Sequence, residues 1–270
     1  MESSMPTWPR SSILLVDNDP FFLKAVGDLL VDRGYTVRQT IDGLEALEAL
    51  WEARPDIILL DLIMPRVDGV RFCRYLREDP RTADIPVIVF SGLSAPDILQ
   101  MGEIGADAYV AKGPLPLILT NLLTAIGQVE KSGRSRSLGD AIYGYEGFRP
   151  RQLISELLVT KSYHDILKAH LRDGVVEADR ARKIVSVNRA AEALAGKTER
   201  DLLSVPLANL FPGSWSSEIS DACDSLETDR LPHGVTRMVS LGEKRIRVKI
   251  QRISAPAEYS GFLVILEEET

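Results

Sequence analysis

The amino-acid sequence predicts an α/β domain with a parallel sheet, followed by a smaller α+β domain with an antiparallel sheet. Over residues 11–129, continuous apolar runs alternate five times with segments of helical period. Apolar runs of this kind are typical of strands buried on both faces, and their alternation with helices is typical of a parallel sheet. Beyond residue 171 the period changes to two, which is typical of half-buried strands.

The composition is that of an ordinary globular protein. The chain has 270 residues, 45% apolar and 26% charged, which is enough for two domains. Residues 1–130 carry 11 basic and 19 acidic residues, and an acidic half of this kind argues against nucleic-acid binding there. Cys73 and Cys223 make neither a disulfide framework nor a zinc cluster. Without a signal peptide or an apolar run of roughly 20 residues, we expect a cytoplasmic protein with no membrane contact.

The first domain is predicted to contain five strand–helix pairs. Its strands, in order, are "SILLVD", "YTVRQT", "DIILLD", "IPVIVFSG" and "ADAYVAK". Helical segments follow each of them: one from residue 20, "DGLEALEALWEA", "GVRFCRYLRE", a short helix around 96–104 and a helix over 115–129. Consecutive parallel strands joined by helices give a sheet covered on both faces.

Polar side chains follow the strands of this sheet at their carboxyl ends. The first strand runs into residues 17–19, "DND", the third into Asp61, the fourth into Ser91 and the fifth into Lys112. In an open parallel sheet these ends meet at one edge, where function resides. Acidic residues hold a divalent cation, lysine supplies a positive charge, and serine supplies a hydrogen bond. This set predicts phosphoryl transfer to the carboxylate of Asp61.

Four stretches, "ILLVDNDP", "DIILLDLIMPRVDG", "IPVIVFSG" and "GADAYVAKG", resemble the receiver domain of bacterial response regulators. The resemblance covers residues 11–129 and implies a flavodoxin-like (βα)5 fold with a five-stranded parallel sheet. It implies that Asp61 is the phosphoacceptor, that Ser91 and Lys112 assist, and that Tyr109 is the aromatic switch. It also implies a partner histidine kinase, and a protein with no separate enzymatic output.

The resemblance implies a Mg²⁺ site formed by Asp17, Asn18 and Asp61. The family normally has two adjacent acids after the first strand, whereas here the second position holds Asn18. An amide oxygen is a suitable ligand for a hard cation but lacks the charge, so we expect weaker Mg²⁺ binding. Asp19 is better explained as the N-cap of a helix with Pro20 in its first turn.

The lifetime of a phosphoryl group on Asp61 is expected to depend on two further residues. By resemblance, Ile63 and Leu93 flank the path of the water that would hydrolyse the acyl phosphate. Both side chains are apolar and cannot hold a water by hydrogen bonding, although they also serve to cover the strand ends. We therefore expect a dephosphorylation gate that favours a long-lived phosphorylated state.

The segment between the domains has two parts. Residues 130–149 are rich in glycine, serine and arginine and are predicted to be a flexible linker. Residues 150–171 are predicted to form a linker helix with an imperfect heptad seam, which with the wide apolar arc of helix 115–129 favours a homodimer. The seam consists of Leu153, Leu157, Thr160, His164, Leu167 and Leu171.

The second domain, residues 165–270, resembles a PAS domain. The stretch "LRDGVVEADRARKIVSVNRAAEALAG" and the final strand "FLVILEE" carry the resemblance. No cofactor is predicted for it, because the photoreactive cysteine motif of flavin-binding members is missing and His233 is better explained as an exposed turn residue than as a haem ligand. Cys223 is expected to serve packing.

We expect the output to be contact with a downstream protein of unknown identity, with no nucleic acid bound. Two alternatives remain open. In one, the PAS domain senses a small molecule and the receiver modulates it. In the other, the chain is the N-terminal fragment of a hybrid histidine kinase.

Overall fold

The computed structural model describes residues 11–92, 104–112, 115–132, 142–144, 168–211, 215–227, 234–241, 244–254 and 260–269. The chain divides between Leu158 and Val159 into two compact units. Most of the predicted linker helix, residues 150–171, lies outside the described residues. Within its described part, Lys168–His170 are helical. In the part of the chain that is described, no helix is both long and apolar enough to span a membrane.

The first unit alternates strands and helices, as predicted. Its elements are β1 (Ser12–Val16), α1 (Pro20–Asp32), β2 (Thr36–Thr40), α2 (Gly43–Glu52), β3 (Ile57–Leu60), α3 (Gly69–Glu78), β4 (Val87–Ser91), β5 (Ala108–Ala111), α4 (Leu115–Ser132) and β6 (Ile142–Tyr143). The helix predicted around 96–104 lies almost wholly outside the described residues.

The sheet of the first unit is parallel, with the strand order β2-β1-β3-β4-β5-β6. Strands β3, β4 and β5 are buried along their whole length, because helices cover both faces. On one face, α1 and α4 enclose a core built from alternate residues of the strands. The predicted parallel sheet of five strands, β1 to β5, is therefore confirmed, and β6 adds a sixth.

Aspartate side chains begin three of the helices. Asp19, Asp42 and Asp68 accept hydrogen bonds from backbone N–H groups in the first turns of α1, α2 and α3. These bonds satisfy donors that have no partner within a helix. Asp19 therefore has the capping role predicted for it, with Pro20 opening the helix.

Two described parts of the predicted flexible linker, residues 130–149, belong to a helix and a strand. Helix α4 continues to Ser132, and the two residues of β6 add a sixth parallel strand beside β5. The prediction missed β6 because a two-residue strand has no measurable period. With α4 as the crossover, β5, α4 and β6 form one more β-α-β unit on the edge of the sheet.

The second unit is a five-stranded antiparallel sheet with helices on one face, in the strand order β8-β7-β11-β10-β9. Its elements are β7 (Gly174–Asp179), β8 (Ile184–Val187), α5 (Arg189–Ala195), α6 (Glu199–Leu202), a 3₁₀ turn (Leu207–Asn209), α7 (Trp215–Glu227), β9 (Val235–Leu241), β10 (Lys244–Ser254) and β11 (Ser260–Glu268). The predicted hairpin and the three final strands are all present.

Side chains fill the space between this sheet and its helices. Trp215 is fully buried, packs edge-on against Phe211, and donates a hydrogen bond from its indole Nε1–H to the Leu207 carbonyl. Ile246, Val248 and Ile250 of β10 face this core, as their alternation with charged residues predicted. Cys223 is also buried here, in the packing role expected of it.

Candidate functional site

The carboxyl ends of β1, β3 and β5 bring two acids and one lysine together. Asp17 is fully buried and Asp61 is 5% exposed. The Lys112 ammonium lies 2.7 Å from the Asp17 carboxylate and 2.9 Å from the Asp61 carboxylate. The strands impose this meeting, because the backbone N–H of Asp61 donates to the Val16 carbonyl and joins the two strand ends directly.

Burial governs the protonation of this cluster. It raises the pKa of Asp61 from its ordinary value of 3.8 to about 6, with a further rise from Asp17, while Lys112 acts against the rise. Burial acts to lower the pKa of Lys112, but the neighbouring carboxylates of Asp61 and Asp17 outweigh it and the pKa is raised. At neutral pH Asp61 is therefore ionised and Lys112 protonated.

The donors at this edge fit a hard divalent cation. Two ionised carboxylates with one ammonium leave a net negative charge in a buried setting, where charge is costly unless it is compensated. Asn18, the third predicted ligand, follows Asp17 directly and is exposed. Asp19 is turned away, because its side chain caps α1 and its N–H donates to the Asp17 carboxylate at 2.8 Å.

Ser91 ends the strand next to β3, and Gly69 begins the helix that packs against Asp61. Ser91 ends β4, is fully buried, and accepts a hydrogen bond at its carbonyl from the N–H of Lys112. A Cβ atom at Gly69 would lie 2.2 Å from the carbonyl oxygen of Asp61. The start of α3 therefore packs directly against the backbone of Asp61, which explains the glycine after Asp68 in "VDG".

Ion pairs and a backbone hydrogen bond join the loop after Asp61 to the start of α2. Arg66, whose φ of 58° is unusual for a residue with a side chain, pairs with buried Asp42 and with Glu45. The N–H of Gly43 donates to the Val67 carbonyl at 3.0 Å across the same junction.

Ile63 in this loop is half-buried, and its backbone N–H donates a hydrogen bond to the Asp61 carboxylate. Leu93, its predicted partner in the gate, lies outside the described residues.

Tyr109, the predicted switch residue, is buried in β5 with 1% exposure. Its hydroxyl is enclosed and has no hydrogen-bond partner in the part of the chain that the structure describes. Burial raises the pKa of its phenol to about 12, with further contributions from Cys73 and Asp107. The side chain therefore lies on the α3 side of the sheet, held by packing.

Two aromatic residues of the site were not predicted. Phe22 of α1 and Phe90 of β4 are stacked with their ring centroids 5.0 Å apart, and the Lys112 ammonium lies 5.0 and 5.1 Å from the two centroids. They form an apolar wall along the lysine side chain. In the sequence, both residues look like ordinary core residues, and both are buried in the core of the unit.

The remaining candidates do not join the site. Cys73 is buried in α3 and burial raises the pKa of its thiol to about 12, which agrees with packing. His170 is exposed in the second unit. His164 and His233 lie outside the described residues.

Comparison with known proteins supports the identification of the first unit. Residues 13–125 match the model of the response regulator receiver domain. The chain is 42% identical over 101 residues to the "DNA-binding dual master transcriptional regulator RpaA" of Synechocystis, which covers 37% of this chain and 42% of the relative. It is 33% identical over 102 residues to the "Polar-differentiation response regulator DivK" of Brucella anthropi, covering 37% of this chain and 83% of the relative.

Among solved structures, the N-terminal domain of a response regulator receiver protein from Methanoculleus marisnigri is 30% identical, with a TM-score of 0.37, and covers 44% of this chain and 95% of that one. The chain spans less than half the length of several curated relatives that it matches, 42% in RpaA and 14% in a Myxococcus xanthus "Gliding motility regulatory protein". These alignments extend over roughly the first unit.

Proposed function

Because this chain belongs to the response regulator receiver family over residues 13–125, we propose that Asp61 accepts a phosphoryl group from a partner histidine kinase. The observation that carries the proposal is the meeting of Asp61, Asp17 and Lys112 at one buried edge of the parallel sheet. The sheet edge collects an acceptor and an ammonium in one place, which is the arrangement that transfer to a carboxylate requires.

Each side chain has a distinct task in the proposed transfer. Asp61 is ionised at neutral pH and attacks phosphorus through a carboxylate oxygen, forming an acyl phosphate as the donor's bond to phosphorus breaks. Lys112, already 2.9 Å from Asp61, places its positive charge on the oxygens of the transferred group. Ser91 offers its hydroxyl to another of these oxygens. The stacked rings of Phe22 and Phe90 restrict the conformations that the Lys112 side chain can adopt.

Mg²⁺ is the proposed cofactor of the first unit. Asp17, Asn18 and Asp61 would hold it, and the bound ion would supply positive charge to phosphoryl oxygens. The excess of buried carboxylate over ammonium supports this assignment. Tyr109 is proposed to report phosphorylation by changing its position at β5, and Ile63 with Leu93 to restrict attack by water.

For the second unit we propose a PAS domain that acts through protein contacts. The antiparallel sheet with helices on one face supports this, together with the sequence resemblance. Buried side chains fill the described core around Trp215. A small-molecule sensor stays an alternative, because an open pocket lined by Arg180, Arg252 and Phe262 lies in the same unit. No cofactor is proposed for this domain.

A homodimer in the cytoplasm remains part of the proposal. The wide apolar arc of α4 supports it less than expected, because Leu119 and Leu123 pack partly against the core of their own unit. We propose that the chain does not bind nucleic acid, because its first half is acidic, although relatives such as RpaA are named as DNA-binding. The hybrid kinase fragment stays an alternative, distinguished by the reading frame beyond Thr270.

The decisive experiment is to mix the protein with a small phosphodonor and Mg²⁺ and to measure its intact mass. One phosphoryl group should be added to the parent, and none to Asp61→Asn. Asp19→Asn is the matched control, because it changes an acid at the same edge while asparagine can still cap α1. Equal labelling of parent and Asp61→Asn would refute the assignment. Pull-downs with phosphorylated and unphosphorylated protein would then identify the partners.

A further inference from the structure

The loop between β3 and α3 has its two ends close together. The N–H of Gly69 donates to the Leu62 carbonyl at 3.1 Å, and a Cβ atom at Gly69 would lie 2.8 Å from the Cα of Leu62. Within the loop, the side chains of Met64 and Val67 are buried. The segment 62–69 is therefore closed at its base and packed against the unit.

One N–H group of this loop reaches the acidic site. The backbone N–H of Ile63 donates a hydrogen bond to the Asp61 carboxylate. Asp61 is buried, so this bond is made in a setting where hydrogen bonds are electrostatically stronger than in water. A bond to one carboxylate oxygen restricts how the carboxylate can turn, and attack on phosphorus needs an aligned oxygen. The position of Ile63 therefore bears on the proposed transfer.

A cluster of charged side chains, Arg66, Asp42 and Glu45, holds the far end of the loop and is called the clamp below. The Arg66 guanidinium pairs through Nε and Nη2 with the Asp42 carboxylate, and its Nη2 lies 3.2 Å from the Glu45 carboxylate. The Asp42 side chain is 1% exposed and that of Arg66 is 20% exposed, so solvent screens the pair little. Asp42 also caps α2, which fixes its carboxylate independently of Arg66.

The backbone of Arg66 adopts a conformation that needs support. Its φ of 58° lies in the left-handed region, which is unfavourable for a residue with a Cβ atom and persists where surrounding contacts determine it. The clamp supplies such contacts at Arg66 itself, and the bond from the Gly43 N–H to the Val67 carbonyl supplies one at the next residue. The loop is therefore attached at its base to α3 and at its far end to α2.

We propose that Arg66 is a positioning residue for phosphoryl transfer. Through the clamp it fixes the loop, so that the Ile63 N–H stays on the Asp61 carboxylate and keeps one oxygen of this carboxylate aligned for attack. The holding of the loop is a property of the unphosphorylated fold. Only the consequence for the rate of transfer rests on the proposed function.

The first test needs no phosphorylation and measures hydrogen exchange of the Ile63 amide by NMR. Arg66→Ala should speed this exchange by roughly tenfold, because the loop loses its attachment to α2. Arg81→Ala is the matched control, since Arg81 pairs with Asp79 beyond the other end of α3, and it should leave the rate unchanged. If folded Arg66→Ala keeps the parent rate at Ile63, the clamp does not hold the loop.

Two further variants separate positioning from general stability. Arg66→Gly removes the same side chain but accepts the positive φ, so it should melt above Arg66→Ala while its Ile63 amide exchanges at least as fast. Asp42→Asn can still cap α2 but offers Arg66 no charge, so it should also speed the exchange. Combined with Arg66→Ala it should add little, because the two side chains act as one pair. If exchange at Ile63 simply follows Tm across these variants, Arg66 contributes stability alone and the positioning role is refuted.

The second test measures the rate at which the full chain is phosphorylated by acetyl phosphate with Mg²⁺, followed by intact mass. Arg66→Ala should lower the maximal rate by about fivefold or more, because the carboxylate is less well aligned. The donor concentration at half-maximal rate should stay near that of the parent, since Arg66 does not touch the donor in this proposal. Arg66→Lys restores the charge without the fork of donors and should recover part of the rate. Arg81→Ala should match the parent in both quantities.

The outcomes separate the two proposals. If the parent protein gains no phosphoryl group, the proposed function fails and the role of Arg66 in transfer fails with it, while the first test still decides whether the clamp holds the loop. If the parent is phosphorylated and Arg66→Ala reaches the same maximal rate despite faster exchange at Ile63, the positioning role is refuted and the proposed function stands.

Discussion

Asp17 and Asp61 both bond to the ammonium of Lys112, at 2.7 and 2.9 Å. Two buried carboxylates thus share one ammonium, and burial disfavours the net negative charge that remains. The rise of the Asp61 pKa to about 6 is a measure of that opposition. This arrangement costs the fold free energy locally, and the proposed Mg²⁺ ion and phosphoryl group would offset that cost.

Asp61→Asn should stabilise the protein at neutral pH in the absence of Mg²⁺. Because the folded pKa of about 6 lies above the ordinary 3.8, ionised Asp61 destabilises the folded state by up to about 3 kcal/mol. The cost is fully present above pH 6 and fades as the pH falls towards 3.8. Thermal unfolding should show a gain in Tm of several degrees at pH 7.5 and a smaller gain at pH 5. A gain that does not depend on pH would contradict this account.

Asn18→Asp should lower the Mg²⁺ concentration that half-saturates phosphorylation. The added carboxylate beside Asp17 increases the charge available to the ion, so we expect a shift of several-fold. Asn18→Ala, which removes the amide oxygen, should shift the midpoint in the opposite direction. Titrating the phosphorylation rate with Mg²⁺ measures both. An unchanged midpoint in Asn18→Asp would show that this position does not face the ion.

Combining Ile63→Asn with Leu93→Glu should shorten the life of the phosphorylated state. Polar side chains there could orient a water for attack, and we expect roughly tenfold faster decay, equivalent to about 1.4 kcal/mol of barrier. The decay is followed by intact mass after removal of the donor with Mg²⁺ present. Ile63→Val with Leu93→Ile preserves apolar character and should decay like the parent. Similar lifetimes in all three proteins would exclude a gate at these positions.

Tyr109→Phe should stabilise the unphosphorylated protein. The buried hydroxyl has no partner among the described residues, and an unpaired buried polar group costs about 1–3 kcal/mol. Denaturant unfolding should give a higher midpoint with an unchanged slope. Tyr35→Phe is a useful contrast, because the Tyr35 hydroxyl donates to Glu130 at 3.4 Å and little gain is expected from its removal. A loss of stability in Tyr109→Phe would indicate a hydrogen bond in solution.

Much of the first unit could be predicted because its strands are buried on both faces. "DIILL" and "PVIVF" contain almost only apolar residues, and their polar ends mark the functional edge directly. The exposed β2, "TVRQT", was found from its place in the alternation, since its own residues are mostly exposed. Asp19 was assigned to its cap because proline in a first turn restricts where the helix begins.

The missed features depend on contacts between distant parts of the chain. Phe22 and Phe90 look like ordinary core residues, and only the fold shows that Lys112 lies along both rings. The pairing of Arg66 with Asp42 joins two loops that the sequence separates. β6 was hidden in a polar segment, because its two residues gain their stability from the edge of β5 and from α4 rather than from local propensity.

The short strand β6 has a consequence for where the first unit can be cut from the chain. A fragment that ended with α4 would leave the outer side of β5 with unpaired backbone groups, which are a template for pairing with another strand. A fragment that continues through Gly144 keeps this edge covered.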